Sequence, residues 1–374
     1  MELEKVLFIS NQKFLDEKQK EGGVRVCTLE FIRLLQTRFE VVLFPVDYQY
    51  TLLKRIKLKA GVNIYNDYEP EGYREQLTGV LRQNRIKYVF LNLTNTMRFA
   101  ALIKSLQLED VKVILCSHGN ETGDYLHEMV RFGQQQNVFK RLLSSYVLGS
   151  LLKLESSYRL EYLDMVLSVS PVEEQIERWL GIRHTFMVPR TVDYRPLTHV
   201  PVPNRVGFIG DLSHWPNRFG VLEMCTALAR HQHNVVVRLV GAPESFGKEM
   251  EGKFSFVQYM GFLPEAELEK EMASWAFFLN PVFYYSRGVS TKLAKALGRG
   301  IPVITTVPGN RGYRWSDGGL LVAENAADMA KLIIGNAGDP AAIEACRVRA
   351  VAAAKSVPSL GAIMEELYPV IKQL

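Results

Sequence analysis

The sequence predicts an α/β fold with two doubly wound domains in tandem. Short apolar runs alternate with amphipathic stretches along the 374 residues, which indicates parallel strands covered by helices on both faces. The alternation stops at a proline-rich segment near the middle of the chain and then starts again. Because the chain is also too long for one ordinary domain, we expect each half to fold around its own core.

The first half carries six candidate strands, at Val6–Ser10, Val41–Pro45, Tyr88–Asn92, Val113–His118, Met165–Ser170 and Phe186–Pro189. Amphipathic stretches between them predict helices over Val24–Thr37, Tyr73–Asn84 and Asn95–Ser105, and a longer helical region spans roughly 127–162. Ser170, followed by Pro171 and Glu173, predicts a helix N-terminus with a serine cap and a capping-box carboxylate.

Four prolines interrupt the segment Val188–Asn204, so this segment is the predicted linker. We therefore expect an N-terminal domain over 1–190, a linker over 191–204 and a C-terminal domain over 205–355. The final segment, 356–374, is predicted to be helical and can cross back to the first domain.

The second half repeats the same alternation. Candidate strands lie at Arg205–Gly210, Val235–Gly241, Phe256–Tyr259, Ala276–Pro281, Ile301–Thr306 and Gly319–Ala323. Candidate helices lie at Arg218–Arg230, Glu265–Ser274, Thr291–Arg299 and Ala326–Gly335, and a helical tail from Ala345 is broken at Pro358.

Composition excludes several classes of protein. The net charge of +5 is small for this length and lacks the basic excess of a nucleic-acid-binding domain. The four cysteines form no CxxC, and no metal-ligand spacing is found among Cys and His, so we expect reduced, mostly buried thiols and no metal. The first residues enter a strand directly, and no apolar run approaches the length of a membrane span, so a cytoplasmic protein is expected.

Ligands of doubly wound sheets bind at the carboxyl ends of strands, so the loops at those ends are the candidate sites. Gly22 and Gly23 precede a helix after the first strand, where backbone can approach a phosphate or a sugar, or where they merely form a flexible turn. His118 closes the fourth strand and can donate to a sugar hydroxyl or act as an acid or base. The adjacent Asn120 and Glu121 are candidate acceptor contacts, although Glu121 can instead only favour a helix dipole.

Two loops of the second half add candidates. Gly210 and Asp211 follow a strand, and Gly210 lets the loop pass close to a ligand, whereas Asn217 can be only a helix cap. Gly261 and Phe262 follow another strand, where backbone can hold a base edge and Phe262 can stack on it or face the core. The whole chain lacks GxGxxG, which argues against a dinucleotide-binding oxidoreductase.

The most informative stretch is the segment from Gly288 to Thr306, in which a Gly-Val-Ser-Thr turn leads into a helix. A helix N-terminus presents unpaired backbone N–H groups and the positive end of a dipole, and Lys292 adds a full positive charge. Gly288, Val289 and Ser290 are therefore predicted to form an anion site suited to a diphosphate, which makes a nucleotide-linked substrate the first hypothesis.

A basic cluster contains Lys54, Arg55, Lys57 and Lys59. Such charge runs are usually solvated surface. A contact with anionic lipid or with an acidic acceptor is the alternative.

Taken together, these residues resemble a GT-B glycosyltransferase, more narrowly glycosyltransferase family 4. The resemblance rests on Phe208–Asn217, on Val188–Asp193 and on the segment from Gly288 to Val303, and more weakly on the first-half loops. It implies two Rossmann-like doubly wound domains facing a central cleft, and retaining transfer of a sugar from a nucleotide diphosphate sugar without a metal or other cofactor. It also implies a saccharide or lipid-linked acceptor, and surface-glycan synthesis at the inner face of the membrane.

By position, the resemblance implies that Lys292 and the backbone of Gly288–Ser290 contact the diphosphate. His118 is then expected near the transferred sugar, and the Gly22-Gly23 loop beside the donor phosphates. The chain departs from the family at its paired glutamates, where Arg287 and Lys295 stand. Because Arg and Lys only donate hydrogen bonds, we expect the donor to be held differently or to carry extra negative charge, or Lys295 to lie only on the helix surface.

Two rival functions remain open. The missing glutamates are compatible with a catalytically silent binding subunit of the same fold. A sugar-nucleotide epimerase is the third hypothesis, because fold-level analogy alone does not fix the reaction.

Overall fold

A computed structural model describes residues 3–16, 22–49, 51–62, 64–108, 110–132, 137–315 and 320–374. The chain divides into two compact units. Unit 1 contains residues 1–189, 286–288 and 359–374, and unit 2 contains residues 190–285 and 289–358. Among the described residues, no helix is long and apolar enough to cross a membrane.

The strands of unit 1 are β1 (Lys5–Asn11), β2 (Glu40–Val46), β3 (Tyr88–Asn92), β4 (Lys112–Cys116), β5 (Met165–Ser168) and β6 (Thr185–Met187). They form a parallel sheet in the order β2-β1-β3-β4-β5-β6. The central strands β3 and β5 are buried along their whole length, as expected for strands covered on both faces.

The helices described in unit 1 are α1 (Gln12–Leu15), α2 (Gly23–Gln36), α3 (Leu52–Lys59), α4 (Arg74–Gln83), α5 (Arg98–Ser105), α6 (Glu121–Phe132), α7 (Val138–Glu161), α8 (Pro171–Trp179) and α15 (Leu360–Lys372). Short 3-10 helices lie at Pro70–Tyr73 and Thr94–Thr96. The helix predicted over 127–162 is in fact two helices, α6 and α7, and residues 133–136 between them are outside the described residues. At α8, the predicted cap is confirmed, because the Ser170 side chain accepts from the Glu173 N–H.

Unit 2 repeats the architecture. Its strands are β7 (Val202–Ile209), β8 (Val236–Val240), β9 (Val257–Gly261), β10 (Trp275–Asn280), β11 (Val303–Thr306) and β12 (Leu321–Ala323), in the parallel order β12-β11-β10-β7-β8-β9. Its described helices are α9 (Trp215–Leu228), α10 (Glu244–Lys253), α11 (Glu265–Met272), α12 (Thr291–Gly298), α13 (Ala326–Asn336) and α14 (Pro340–Ser356), with a 3-10 helix at Pro308–Asn310. The prediction of two doubly wound α/β domains is confirmed.

The differences from the predicted elements have physical causes. Helix α3 falls where the sequence predicts only a charge run, but Thr51 caps it by accepting from the Lys54 N–H, and its apolar residues share the helix with the lysines. Helices α1 and α10 are absent from the predicted elements, because both are short and lack a clear apolar period. Strand β7 begins at Val202, inside the predicted linker, because it pairs there with Trp275 of β10.

The proline-rich segment is bound to unit 2 along its length. The N–H groups of Arg190, Arg195, Leu197 and Val200 donate to carbonyls of unit 2 at 2.7–2.9 Å. The C-terminal helix α15 packs against α2 in unit 1, where Lys372 pairs with Glu4 at 2.7 Å. All four cysteines are buried free thiols, as predicted.

Candidate functional site

Three loops meet at the carboxyl end of the unit 2 sheet, after β7, β8 and β9. The Gly210 N–H donates to the carbonyl of Val240 at 3.1 Å, and the Gly241 N–H donates to the carbonyl of Gly261 at 2.9 Å. A Cβ atom at Gly241, where φ is +146°, would lie 1.9 Å from the Gly210 carbonyl oxygen, so a larger residue does not fit. Gly210 and Gly261, both predicted to bind the donor, therefore lie at one edge of the sheet.

Asp211 and Asn217 shape the loop that follows β7. Asp211 Oδ1 accepts from the N–H of Ser213 at 2.8 Å and from its hydroxyl at 2.6 Å. Burial raises the pKa of the Asp211 carboxyl, but these hydrogen bonds outweigh it and the net pKa is lowered. Asn217 Nδ2 donates to the Asp211 carbonyl at 2.7 Å. The interpretation of Asn217 as a helix cap is wrong, because α9 has His214 at its N-cap position.

Lys292 reaches this loop from α12. Its Nζ donates to Asn217 Oδ1 at 2.8 Å and lies 5.7 Å from the centroid of the Phe208 ring. Desolvation lowers the pKa of the Lys292 ammonium to about 8, although the Asp211 carboxylate acts in the opposite direction. An ammonium that has lost part of its hydration gains more from an incoming anion than a fully solvated one does.

The N-terminus of α12 is held open by its neighbours. The Ser290 hydroxyl donates to Asn280 Oδ1 at 2.9 Å, and the Ser290 carbonyl accepts from the Tyr313 hydroxyl at 2.6 Å. Ser290 occupies the N-cap position but its side chain caps no helix N–H. Within the described ranges, no acceptor is found for the backbone N–H groups of Ser290, Thr291 and Lys292. These backbone N–H groups are therefore available as hydrogen-bond donors at the positive end of the α12 dipole.

Lys295 and Phe262 lie further out in unit 2. Lys295 Nζ pairs with Glu265 Oε2 at 2.8 Å, and the same carboxylate lies 3.8 Å from Arg299. The Phe262 side chain is 69% exposed, so the alternative in which it faces the core is wrong. Both side chains remain accessible for contact with a ligand.

In unit 1, His118 is oriented by a buried amide. Asn92 closes β3 and donates through Nδ2 to the hydroxyls of Ser10 and Thr28, each at 2.9 Å. Its Oδ1 therefore faces His118 Nε2 at 2.8 Å and accepts from it, which places the proton of the neutral imidazole on Nε2. The Phe31 ring, 5.6 Å away, packs against the imidazole. The structure thus fixes the tautomer and direction of His118.

The residues from Arg287 to Gly288 pack against the same loop of unit 1. A Cβ atom at Gly288, where φ is +77°, would lie 2.6 Å from the His118 carbonyl oxygen. The Gly288 N–H donates to Glu173 Oε1 at 2.7 Å. Arg287 pairs with Glu121 and also lies 3.8 Å from Asp124 Oδ2. Arg287 therefore introduces a positive charge that two carboxylates of α6 balance, and Glu121 does more than favour the dipole of α6.

The Asn120 side chain, predicted to contact the acceptor, lies in the interior of unit 1. Its side chain is fully buried, and Nδ2 donates to Glu155 at 3.2 Å and to Glu177 at 3.3 Å while Oδ1 accepts from the Gly123 N–H at 2.7 Å. A side chain whose donors and acceptor are all engaged in the interior supports its loop. The predicted acceptor contact through Asn120 therefore has no exposed group to make it.

Asn120 belongs to a buried ionic cluster. Glu177 forms a two-point ion pair with Arg159, and Glu155 accepts from the Tyr65 hydroxyl at 2.7 Å and from Thr122 at 2.8 Å. Burial raises the pKa of Glu155, although Arg159 opposes the effect. The cluster anchors α6, α7 and α8 beneath the loop that carries His118.

Gly22 and Gly23 stand at the start of α2, at the carboxyl end of the unit 1 sheet. Gly22 is the N-cap, and no atom lies within 4 Å of the position that a Cβ atom would take there, so backbone at this point is open to approach. The preceding loop residues 17–21, which the sequence assigns to the same candidate site, are outside the described residues.

The sequence-based predictions missed Asn92, Asn280 and Glu173. Asn92 and Asn280 each close a buried apolar strand, which is the same signal that identified His118. Glu173 was assigned only to a capping box, and nothing in the sequence indicates its bond to Gly288. Among the described residues, no group of three or more His, Cys, Asp or Glu is placed to hold a metal ion.

Comparisons with known proteins agree with the fold described above. Residues 203–339 match the family model described as "Glycosyl transferases group 1". A comparison with curated proteins found no match.

Solved structures align with nearly the whole chain. Sucrose-phosphate synthase from Thermosynechococcus elongatus is 16% identical, with 99% of this chain and 98% of that chain covered and a TM-score of 0.68. Anabaena Alr3699/HepE, solved in complex with UDP and glucose, is 13% identical over 99% and 100% of the two chains, with a TM-score of 0.64. The lipopolysaccharide outer core galactosyltransferase WaaB is 11% identical over 99% of each chain, with a TM-score of 0.63. The fold of this chain is therefore GT-B.

Proposed function

We propose that the chain is a glycosyltransferase that moves a sugar from a nucleotide diphosphate sugar to a hydroxyl of a saccharide or lipid-linked acceptor. The observation that carries the proposal is the α12 N-terminus with Lys292 at the carboxyl edge of the unit 2 sheet, inside the segment that resembles group 1 glycosyl transferases. The UDP found in Alr3699/HepE, a protein of the same fold, supports a nucleoside diphosphate as the anion.

Residues 205–355 would hold the donor and residues 1–190 the acceptor. The open N–H groups of Ser290 and Thr291 would bind phosphate oxygens, and Lys292 would neutralise their charge. The backbone at Gly210 and Gly261 would approach the nucleoside, with Phe262 available to stack on the base. His118, whose Nε2–H is directed by Asn92, would lie beside the transferred sugar.

In the proposed reaction the acceptor oxygen bonds to the anomeric carbon as the bond from that carbon to the diphosphate oxygen breaks. The bonding electrons leave with the diphosphate, which gains negative charge, and a phosphate oxygen takes the proton of the acceptor hydroxyl. Stabilising that charge is the main electrostatic task, and Lys292 with the helix N-terminus would perform it. Attack on the face that the diphosphate leaves gives retention, and the chemistry requires no protein base, metal or other cofactor.

The test begins with a thermal-shift panel of nucleoside diphosphates, followed by an assay of sugar transfer from the donor that the panel selects. We expect one base to stabilise the protein by about 1–3 kcal/mol at saturating concentration. Transfer to an acceptor, with the product anomer determined by NMR, would support the proposal. If no nucleotide stabilises the protein, the proposed donor site is absent.

A catalytically silent binding subunit is the second candidate. It is favoured by Arg287 and Lys295, which are both engaged in ion pairs at the positions where the resembled family has glutamates. Nucleotide binding without transfer or hydrolysis would select this candidate, whereas isomerisation of the donor in the absence of acceptor would select an epimerase.

A further inference from the structure

Helices α3 and α7 leave large apolar side chains exposed on unit 1. On α3 these are Leu52, Leu53 and Ile56, and the helix buries no side chain at all. On the first three turns of α7 they are Val138, Phe139, Leu142, Leu143 and Tyr146, of which Phe139 is 85% exposed. Single exposed apolar residues are ordinary, but a group of eight on two helices indicates an interaction surface.

The two helices are neighbours in unit 1. Gly61, just beyond the end of α3, packs so closely on α7 that a Cβ atom there would lie 3.2 Å from the side chain of Val147 and 3.5 Å from that of Tyr146. The end of α3 therefore meets the third turn of α7, and we name these two helix segments together the α3–α7 surface.

The charges of the α3–α7 surface are of one sign. Residues 51–62 and 137–154 contain Lys54, Arg55, Lys57, Lys59, Lys140, Arg141 and Lys153, and no aspartate or glutamate. Among these residues, Lys54 pairs with Glu69 at 3.0 Å. The adjacent α6 carries three acidic residues, of which Glu121 and Asp124 are engaged by Arg287, and Glu128 adds a single negative charge. A net positive charge therefore accompanies the exposed apolar side chains.

We propose that the α3–α7 surface binds an anionic lipid bilayer at its interface, with the apolar side chains inserted below the headgroups and the basic side chains paired with lipid phosphates. All the residues of α3 are apolar or basic, a composition that suits a surface where lysine stems lie along hydrocarbon and their ammonium groups reach the headgroups. The interior of a protein–protein interface is instead depleted of lysine. This inference does not depend on the sugar-transfer proposal.

The test is cosedimentation of the full chain, without donor, with phosphatidylcholine vesicles and with vesicles in which part of the lipid is phosphatidylglycerol. We expect binding to the anionic vesicles only, and a decrease in binding as salt is raised, because screening weakens attraction between the basic residues and the headgroups. A Lys54→Gln/Arg55→Gln/Lys57→Gln/Lys59→Gln variant should partition about tenfold to a hundredfold less, since each charge contributes up to about fivefold near such a surface.

The apolar contribution is tested separately. Phe139→Ser/Leu142→Ser should lower partitioning at least about tenfold, because burying either side chain is favourable. The matched control is Val348→Ser, which removes an exposed apolar residue from α14 in unit 2 and should leave binding unchanged. Apart from Lys54, which is half-buried beside Glu69, the substituted side chains are exposed, so circular dichroism should report the same fold for every variant.

Equal binding of the wild type and both multiple variants to anionic vesicles would overturn the proposal. It would also be overturned if vesicles do not bind and light scattering reports a dimer that Phe139→Ser/Leu142→Ser dissociates, since the surface would then be an interface between two copies of this chain. Failure of nucleotide binding in the thermal-shift panel would leave the vesicle result unaffected.

Discussion

Lys292 combines a positive charge with a position that is already partly dehydrated. Its ammonium donates to Asn217, and the proposed function gives it a phosphate to neutralise at the start of α12. Preorganised charge of this kind is more effective in a transition state than charge that must be gathered from solution.

Removal of the Lys292 charge should therefore affect turnover strongly. We expect Lys292→Ala to lower kcat roughly tenfold to a thousandfold, equivalent to about 1.4–4 kcal/mol of transition-state stabilisation. Steady-state kinetics with the donor identified in the thermal-shift panel would measure the effect. Lys331→Ala, which removes an exposed lysine from α13, is the matched control, and turnover of Lys292→Ala equal to that of this control would remove Lys292 from the mechanism.

The depressed pKa of Lys292 predicts how nucleotide binding depends on pH. In the free protein the ammonium loses its proton near pH 8, and a bound diphosphate raises that pKa, so affinity should be constant below pH 8 and fall as pH rises above it. Isothermal titration calorimetry between pH 7 and 9.5 covers a range in which the terminal phosphate is already ionised. A Lys292→Arg variant stays charged throughout and should lose this dependence, whereas the same decline in both proteins would assign the titration to another group.

Sequence patterns identify features that are local along the chain. Lys292 and Ser290 follow from a turn that enters a helix, and Gly210 follows from a strand that ends in glycine. Asn120 was misjudged because its partners, Glu155 and Glu177, are 35 and 57 residues away, and no local pattern records such contacts.

At the scale of elements, the asparagines that end β3 and β10 organise loops at the carboxyl ends of the two sheets. Asn92 at the end of β3 directs His118, and Asn280 at the end of β10 accepts from Ser290 and donates to Thr305 at 2.9 Å. Strand positions could be predicted from apolar runs, since most of the strand residues lie in continuous cores. The position of helix α3 could not be predicted in this way, because α3 buries no side chain and its apolar residues do not face a core.

The turn before α12 depends on a glycine. At Gly288, φ is +77° and a Cβ atom would press on the His118 carbonyl, so Gly288→Ala should destabilise the fold by about 1–3 kcal/mol. Gly335→Ala is the control, because Gly335 lies inside α13 with no atom within 4 Å of its Cβ direction, and it should be neutral or stabilising by up to about 1 kcal/mol. Urea denaturation measures the free energy of unfolding of both variants, and equal values would mean that the turn tolerates a side chain at Gly288.

The ionic cluster beneath α6, α7 and α8 gives a second prediction for elements. Glu177→Gln should lower the free energy of unfolding by about 3–5 kcal/mol, because it leaves the buried Arg159 guanidinium without its carboxylate. Glu155→Gln should lower the free energy of unfolding much less than Glu177→Gln does, because burial raises the pKa of Glu155 and so favours the neutral carboxyl. Thermal unfolding at neutral pH would compare them, and a larger loss in Glu155→Gln would assign the buried negative charge to Glu155 instead.

For the whole molecule, the architecture was predictable and the roles of its parts were less so. Alternation of strands and helices repeats in both halves, and that regularity is enough to indicate two doubly wound sheets. Which parts of the chain complete each unit was harder to predict, because the residues 286–288 join unit 1 through contacts with Glu173 and Asp124 that no pattern in the sequence marks.

Binding of a nucleoside diphosphate should protect unit 2 more than unit 1. We expect slower backbone hydrogen exchange in residues 289–295 and 210–217, because their N–H groups and loops would contact the ligand. Mass spectrometry of peptides with and without the nucleotide measures this. Protection confined to the His118 loop would place the nucleotide in unit 1 and contradict the proposed donor site.

The position of α15 has a consequence for synthesis of the chain. This helix buries Ile363, Met364, Leu367 and Ile371, yet it is synthesised after all of unit 2. Most of unit 1 is translated first, but its α2 surface stays uncovered until α15 is made, and by then every residue of unit 2 has been synthesised. A stop codon placed after Pro358 should therefore leave unit 2 folded, whereas unit 1 would lack α15 and should aggregate.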